Sequence, residues 1–508
     1  MKIQRTRNAA RNMVSDGALK VINILLPFAM RSIVLHYLGV EFLGLGGMFT
    51  SLLHVLNLAE LGVGSAMVFS MYRPIAEDDT DTICALMNLY RKYYRLIGLF
   101  IAVVGIALTP FLRNLIKGDV PDGVNLYILY FMNLAATVLT YWLFAYKNSL
   151  LNAHQRVDVS SMISLIINIL QFILRVVVLA LFQNYYLFLL VQILCQIAQN
   201  IIIALRVDRM YPQYEARGDL PKEKVDDIKR RIRDLFTARF SAVVSESVDT
   251  LVITSFMGLV VLAVYQNYFY ILSSVRTVLQ VVLGACIAGV GNSLVTETAD
   301  KNYRDLRKIS ILFCWLLCIC SSMLLCLYQP FMRIWMGEEN LLGLSYVICF
   351  TVYFYSFSIN RLVNMFKDAA GIWHKDRFRP LTAALVNLGL NLATVRYLGL
   401  YGVLLSTVIS IILVQIPWLI INLFQEVFPV TYRKQYAISL CGAAAVAFLS
   451  CAISFFLCGR IVVNDWAALL IYGAISFAVP NLLCFLVYRK NPLFRESVRQ
   501  VLRIFHRK

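Results

Sequence analysis

Charge is what this sequence has least of. Asp, Glu, Lys and Arg together make up 15% of its 508 residues, while 60% are hydrophobic. Soluble domains carry about 25% charged residues, so this supply cannot coat several water-facing domains. The polar linkers that would separate domains of roughly 150 residues are missing as well. Acidic residues are scarcer still, 29 against 47 basic, which leaves a net charge of +18. There is no Walker A loop, which excludes a built-in domain of that type driven by ATP. The five histidines, His36, His54, His154, His374 and His506, show no metal-ligand spacing and read as structural or interfacial. No C-x-x-C pair occurs among the twelve cysteines. Cys314, Cys318, Cys320 and Cys326 share one apolar stretch and read as small hydrophobic filler. Neither metal nor cofactor is expected.

What the chain has in abundance is apolar runs long enough to cross a bilayer, for which about 20 helical residues suffice. Fourteen are expected, at 13–37, 41–71, 93–111, 123–146, 158–182, 187–205, 237–257, 265–297, 309–329, 343–366, 381–395, 401–424, 437–458 and 466–488. The stretches 41–71 and 265–297 are long enough to contain a bend. The first run is too long for a cleavable signal peptide, carries Lys20 and Arg31, and lacks a small-residue cleavage site. The fold class is therefore an all-α polytopic membrane protein.

With the N-terminus placed in the cytoplasm, 36 of the 47 cations fall in inward segments and five, Arg113, Lys117, Arg333, Arg396 and Arg460, in outward ones. That bias is the positive-inside pattern of an even-numbered bundle with both termini cytoplasmic. Because the basic residues are spread over eight short segments, nucleic acid is excluded as a partner. A weak internal repeat supports two halves. Tyr37-Leu38-Gly39 matches Phe256-Met257-Gly258, and Gly62-Val63-Gly64 matches Gly289-Val290-Gly291. The expected organisation is an N-lobe of six spans (1–205), a basic cytoplasmic linker (206–236), a C-lobe of six spans (237–424), two further helices (425–488) and a basic amphipathic tail (489–508) lying on the inner leaflet.

Six cations remain inside spans: Lys20, Arg31, Arg175, Arg239, Arg276 and Arg361. Each costs about 2.5–3.5 kcal/mol at the bilayer centre. Polar residues accompany them in stripes. Asp16, Lys20, Asn23 and Arg31 fall within about 80° of one another on one helix, as do Arg239, Glu246 and Asp249 on another. Asn168 and Gln171 share a face with Arg175, and Gln192, Gln196, Gln199 and Asn200 form a face of their own. Gln280, Asn360, Asn364, Asn387 and Asn391 continue the polar set. Taken singly, such residues snorkel, pair or join helices by hydrogen bonds. Taken together, they point to a hydrated cavity whose cations favour an anionic ligand, since Arg matches phosphate oxygens. Asp16, Glu60, Glu246 and Asp249 either carry coupling ions or pair with neighbouring cations. Outward loops are short, which argues for a transporter over a membrane enzyme.

Two stretches carry a family resemblance. Leu58-Ala59-Glu60-Leu61-Gly62-Val63-Gly64-Ser65-Ala66, with Tyr72-Arg73-Pro74 and Arg91-Lys92-Tyr93-Tyr94, resembles the second-helix signature of bacterial polysaccharide flippases. Phe366-Lys367-Asp368-Ala369-Ala370-Gly371-Ile372-Trp373, continuing through Asp376-Arg377-Phe378-Arg379-Pro380 to Asn387 and Gly399–Thr407, is similar to the capsular and exopolysaccharide branch. The wider group joins multidrug/toxin exporters to oligosaccharide-lipid flippases. The resemblance implies movement of undecaprenyl-diphosphate-linked oligosaccharide from inner to outer leaflet of a bacterial plasma membrane by alternating access. It implies cations for the diphosphate, Asn and Gln for sugar hydroxyls, and a polymerase and glycosyltransferases as associated proteins. The alternatives are a cation-coupled multidrug exporter of the same fold and a membrane glycan polymerase or ligase.

Overall fold

The computed structural model describes residues 5–505 except Leu61 and Asp119. His506 and the side chains of Arg239 and Glu246 lie outside that description. Among the described residues every regular element is helical. Internal packing divides the chain into two units, Met1–Ala263 and Val264–Lys508.

The first unit holds α1 (Arg5–Tyr37), α2 (Val40–Leu56), a 3-10 turn (Asn57–Glu60), α3 (Val63–Ala76), α4 (Thr80–Leu108), α5 (Leu126–Trp142), the short α6 (Asn148–Ala153), α7 (Val157–Phe182), α8 (Tyr185–Met210) and α9 (Lys222–Met257). The second holds most of α10 (Leu259–Thr296), then α11 (Ala299–Met336), α12 (Leu344–Ala370), α13 (Arg379–Leu398), α14 (Leu400–Ser410), a π-helical turn (Ile411–Gln415), α15 (Ile416–Glu426), α16 (Arg433–Cys458), α17 (Asp465–Tyr488) and α18 (Pro492–Phe505).

Among the described residues, eleven helices are long and apolar enough to cross a membrane, or twelve when the pair Leu126–Trp142 and Ala145–Ala153, bent by 48°, is taken as one span. Of the fourteen expected runs, the remaining two correspond to shorter apolar helical segments, Val40–Leu56 and Ser247–Met257. The chain is a multi-pass membrane protein.

The repeat is visible in the backbone. Gly39 joins α1 to α2 with φ 101° and ψ 171°, and Gly258 joins α9 to α10 with φ 95° and ψ 179°. A side chain rarely tolerates these angles, so each matched tripeptide ends on the residue the turn requires. Both halves then lead into a capped helix. Asp79 accepts from the backbone N–H of Thr82 at 3.0 Å, and the Thr298 hydroxyl accepts from that of Lys301 at 3.4 Å. Between these points the halves differ. The 41–71 run breaks at Gly62, which is left-handed with φ 89°, whereas α10 continues unbroken for 38 residues through Gly289 and Gly291.

The basic segment 206–236 belongs to the first unit and packs within it. Tyr211 lies against the His154 ring at 4.4 Å, Asn88 donates to the carbonyl of Gly218 at 2.7 Å, and Lys92 pairs with Asp219 at 2.6 Å. From Lys222 onward it is helical and continuous with the apolar part of α9. In the second unit Cys318, Ala447 and Cys484 form a core with Trp315, Tyr355 and Tyr488 packed around it. Phe494 of α18 is 4% exposed and lies against Trp315 at 5.2 Å, so that side of the tail is covered by protein.

Candidate functional site

In the first unit the residues of the first motif converge around Glu60. The 3-10 turn and left-handed Gly62 bring its carboxylate toward α4 and α5. There Tyr94 donates to Oε1 at 2.7 Å, Tyr141 donates to Oε2 at 3.3 Å, and Tyr90 donates to the Tyr94 hydroxyl at 2.7 Å. Tyr90 and Tyr94 are four apart on α4 and so share its face. Gly64 leaves room for them, because a Cβ there would sit 3.0 Å from the Tyr90 hydroxyl and 3.5 Å from Glu60 Oε1. Next to Glu60 is a cavity of about 650 Å³ lined by Gly62, Gly64, Phe69, Tyr72, Asn148 and Asn152, among others. The sequence named Glu60 but not Tyr90, Tyr141, Asn148 or Asn152, which lie far apart along the chain. The i, i+4 tyrosine pair was the one local signal.

Arg175 on α7 is held by α8. Its guanidinium carbon lies 4.1 Å from the Phe188 ring centre, and it donates to the Gln192 side chain. No carboxylate pairs with it among the described residues, and its buried Nε has no partner. Arg276 on α10 is set into aromatic rings from α12 and its own helix. Its guanidinium carbon is 3.3 Å from the centre of Phe357, 5.7 Å from Tyr353 and 6.0 Å from Phe269. It donates to the Tyr353 hydroxyl at 3.1 Å, and its buried Nε is again unpartnered. Arg361 approaches the Phe357 ring at 5.2 Å. A desolvated cation–π contact is worth about 2 kcal/mol and a hydrogen bond about 1 kcal/mol. Together these roughly offset the cost of an intramembrane Arg. Arg175 and Arg276 are thereby tolerated with no carboxylate paired to them among the described residues.

The second motif builds a polar lock in the second unit. Arg379, at the start of α13, donates through Nε and Nη2 to both oxygens of Asp376 at 2.7 and 2.8 Å, with the two side chains 4% and 3% exposed. Arg379 also donates to Asn364 at 3.0 Å and to Gln415 at 3.4 Å, while Asn422 donates to Asp376 at 3.2 Å. Lys367 lies 3.5 Å from the same carboxylate. Asn360 donates to Gln415 at 2.9 Å. Gln415 ends the π-helical turn, a local widening that often marks functional sites. Asn360 and Asn364, expected in a cavity, are thus members of this network.

Several of the other expected residues pair with a neighbour or join two helices. Lys20 pairs with Asp16 at 2.9 Å, one turn apart and both half-exposed. Asn168 donates to Asn23 at 2.9 Å between α7 and α1, and Gln196 donates to the Thr140 hydroxyl at 2.6 Å. Asn387 donates to Thr407 at 2.9 Å, and Asn391 donates to Asn387 at 3.3 Å, along the seam of α13 and α14. Arg31 and Gln171 are half-buried on α1 and α7, and Gln280 is exposed on α10. Asp249 is half-buried on α9 beside buried Ser247 and Thr250. Among the described residues no cluster of three metal-ligating side chains occurs.

Comparison with known proteins locates the fold. No family profile and no curated protein matches the sequence. Solved structures do match. A lipid II flippase, MurJ, in an inward closed conformation superposes with a TM-score of 0.66 at 14% identity, over 94% of this chain and 98% of that one. An inward-facing multidrug resistance MATE transporter of the MOP superfamily gives 0.60 at 15% identity, over 82% and 96%. A MOP superfamily transporter from Pyrococcus furiosus, described as having a binding pocket of reverse polarity, gives 0.52 at 13% identity, over 84% and 96%. The chain has the fold of these transporters.

Proposed function

We propose, from a fold held in common with lipid-flipping and drug-exporting membrane proteins, that this chain is a flippase for polyprenyl-diphosphate-linked oligosaccharides. It would carry them from the inner to the outer leaflet of a bacterial plasma membrane, by alternating access, for capsule, exopolysaccharide or O-antigen synthesis. The observation that carries this reading is the state of Arg175 and Arg276. Both are cations within apolar helices, capped by aromatic rings, and each has an unpartnered buried Nε with no carboxylate paired to it among the described residues. An intramembrane charge left without a counter-charge is a functional group by default, and the planar fork of Arg matches a diphosphate. Lys20, Arg31 and Arg239 complete the proposed cationic set. Asp16 and Asp249 serve as pairing or coupling groups.

Among drug exporters of this fold, a cationic cargo would be repelled by the same two guanidiniums. The test is transport of a fluorescent diphosphate-lipid oligosaccharide in proteoliposomes, read by quenching of the label exposed on one leaflet. Wild type is expected to equilibrate the lipid, and Arg276→Ala or Arg175→Ala to slow this by an order of magnitude or more. Equal rates in wild type and both folded variants refute the assignment.

A further inference from the structure

We infer that the cavity beside Glu60 in the first unit is the sugar-reading subsite, a place for uncharged glycan hydroxyls separate from the cations that hold the diphosphate. The inference rests on the flippase reading above and adds where the glycan is recognised.

The lining decides the ligand class. Among the described residues that line it there is a carboxylate and no Lys, Arg or His. Arg231 stacks on the Phe69 ring of this wall at 4.7 Å and is already paired with Asp227 at 2.9 Å. An anion such as a diphosphate is therefore disfavoured. A bare metal ion fits no better, since about 650 Å³ far exceeds the ~30 Å³ share of one water. Hard cations also take several oxygen ligands where one carboxylate is offered. The volume instead falls in the range of organic ligand sites, about 300–1,000 Å³.

The free hydrogen-bonding capacity suits hydroxyls, which both donate and accept. Glu60 uses one lone pair on each oxygen for Tyr94 and Tyr141, leaving acceptor capacity on both. Those tyrosines, with Tyr90 behind them, fix the carboxylate in place before any ligand arrives. Asn148 supplies one side-chain amide to the wall. Asn152 supplies a second amide to the same wall. Phe69 and Tyr72, both exposed, offer aromatic faces to the apolar faces of sugar rings. A fixed acceptor, two amides and two exposed rings describe a carbohydrate site.

The experiment compares two cargoes in proteoliposomes: the full lipid-linked oligosaccharide, and the same diphosphate lipid carrying only its first sugar. In parallel, purified full-length protein is titrated with the free, phosphate-less oligosaccharide and with sodium chloride, following heat released. Wild type is expected to prefer the full cargo and to bind the free sugar. In Asn148→Ala/Asn152→Ala the preference ratio should fall about tenfold, the loss of one to two hydrogen bonds, with a matching loss of free-sugar binding. Asn152→Leu alone serves if the double variant does not fold. An unchanged ratio in a variant with the wild-type melting profile overturns the subsite, as does a response to sodium with none to sugar. Failure of wild type to move either cargo overturns the flippase reading, and the subsite with it.

Discussion

The lock around Asp376 lends itself to a quantitative test. The carboxylate is 3% exposed and takes two hydrogen bonds from Arg379, one from Asn422 and the charge of Lys367 at 3.5 Å. In Asp376→Ala, Arg379 remains buried with no counter-charge, while Lys367 keeps Asp368 at 2.8 Å; breaking a buried pair from one side costs about 3–5 kcal/mol. The remaining acceptors of Arg379, Asn364 and Gln415, are neutral amides and cannot replace the charge. Removing both partners behaves differently. Asp376→Ala/Arg379→Met takes the stranded guanidinium away and leaves Asn364 and Asn422 each short of a partner, at about 1 kcal/mol each, while Gln415 keeps its bond from Asn360. The double variant should therefore be closer to wild type than Asp376→Ala is, with a coupling of about 2 kcal/mol, within the range found for contacting residues. Unfolding of the purified protein in mixed micelles, followed by loss of helical signal, measures all four corners of the cycle. Additive effects, or a loss below 1 kcal/mol for Asp376→Ala, would refute the claim that this ion pair holds α13 to its neighbours.

Two further outcomes follow from the geometry. Gly62→Ala must force a side chain into a left-handed turn with φ 89°, at a cost of about 1 kcal/mol or more, while Gly64→Ala presses on the Tyr90 hydroxyl; both should lower melting temperature, and Gly64→Ala should also reduce free-sugar binding, as calorimetry would detect. The Glu496 carboxyl, outside the spans, is held below its ordinary range chiefly by its hydrogen bond to Lys308, then by the charges of Lys308 and Arg304. A lowered folded-state value means that its contribution to docking α18 is present above the ordinary carboxylate pKa and is lost as pH falls through the lowered one. Trp315 fluorescence, reporting contact with Phe494, should change over that acidic window in wild type and not in Glu496→Gln.

The sequence alone determined that the chain is a helical, multi-pass membrane protein, because hydropathy is a property of the chain read in windows of about 20 residues. It also determined the weak repeat, since a positive-φ turn leaves its mark in one glycine at each of two positions, Gly39 and Gly258. The polar stripes were legible as stripes, but what each residue does was not. Asn387 and Thr407 are 20 positions apart, and Asn360 and Gln415 are 55 apart; only packing of α12, α13 and the π-helical turn showed that they bond to one another. The same holds for Glu60, whose three tyrosine neighbours come from α4 and α5, and for Arg175 and Arg276, whose aromatic partners no local spacing announces. A span's existence is a one-helix property settled by solvent, whereas the fate of a polar group inside it depends on which helix lies opposite. That part only the tertiary structure decided.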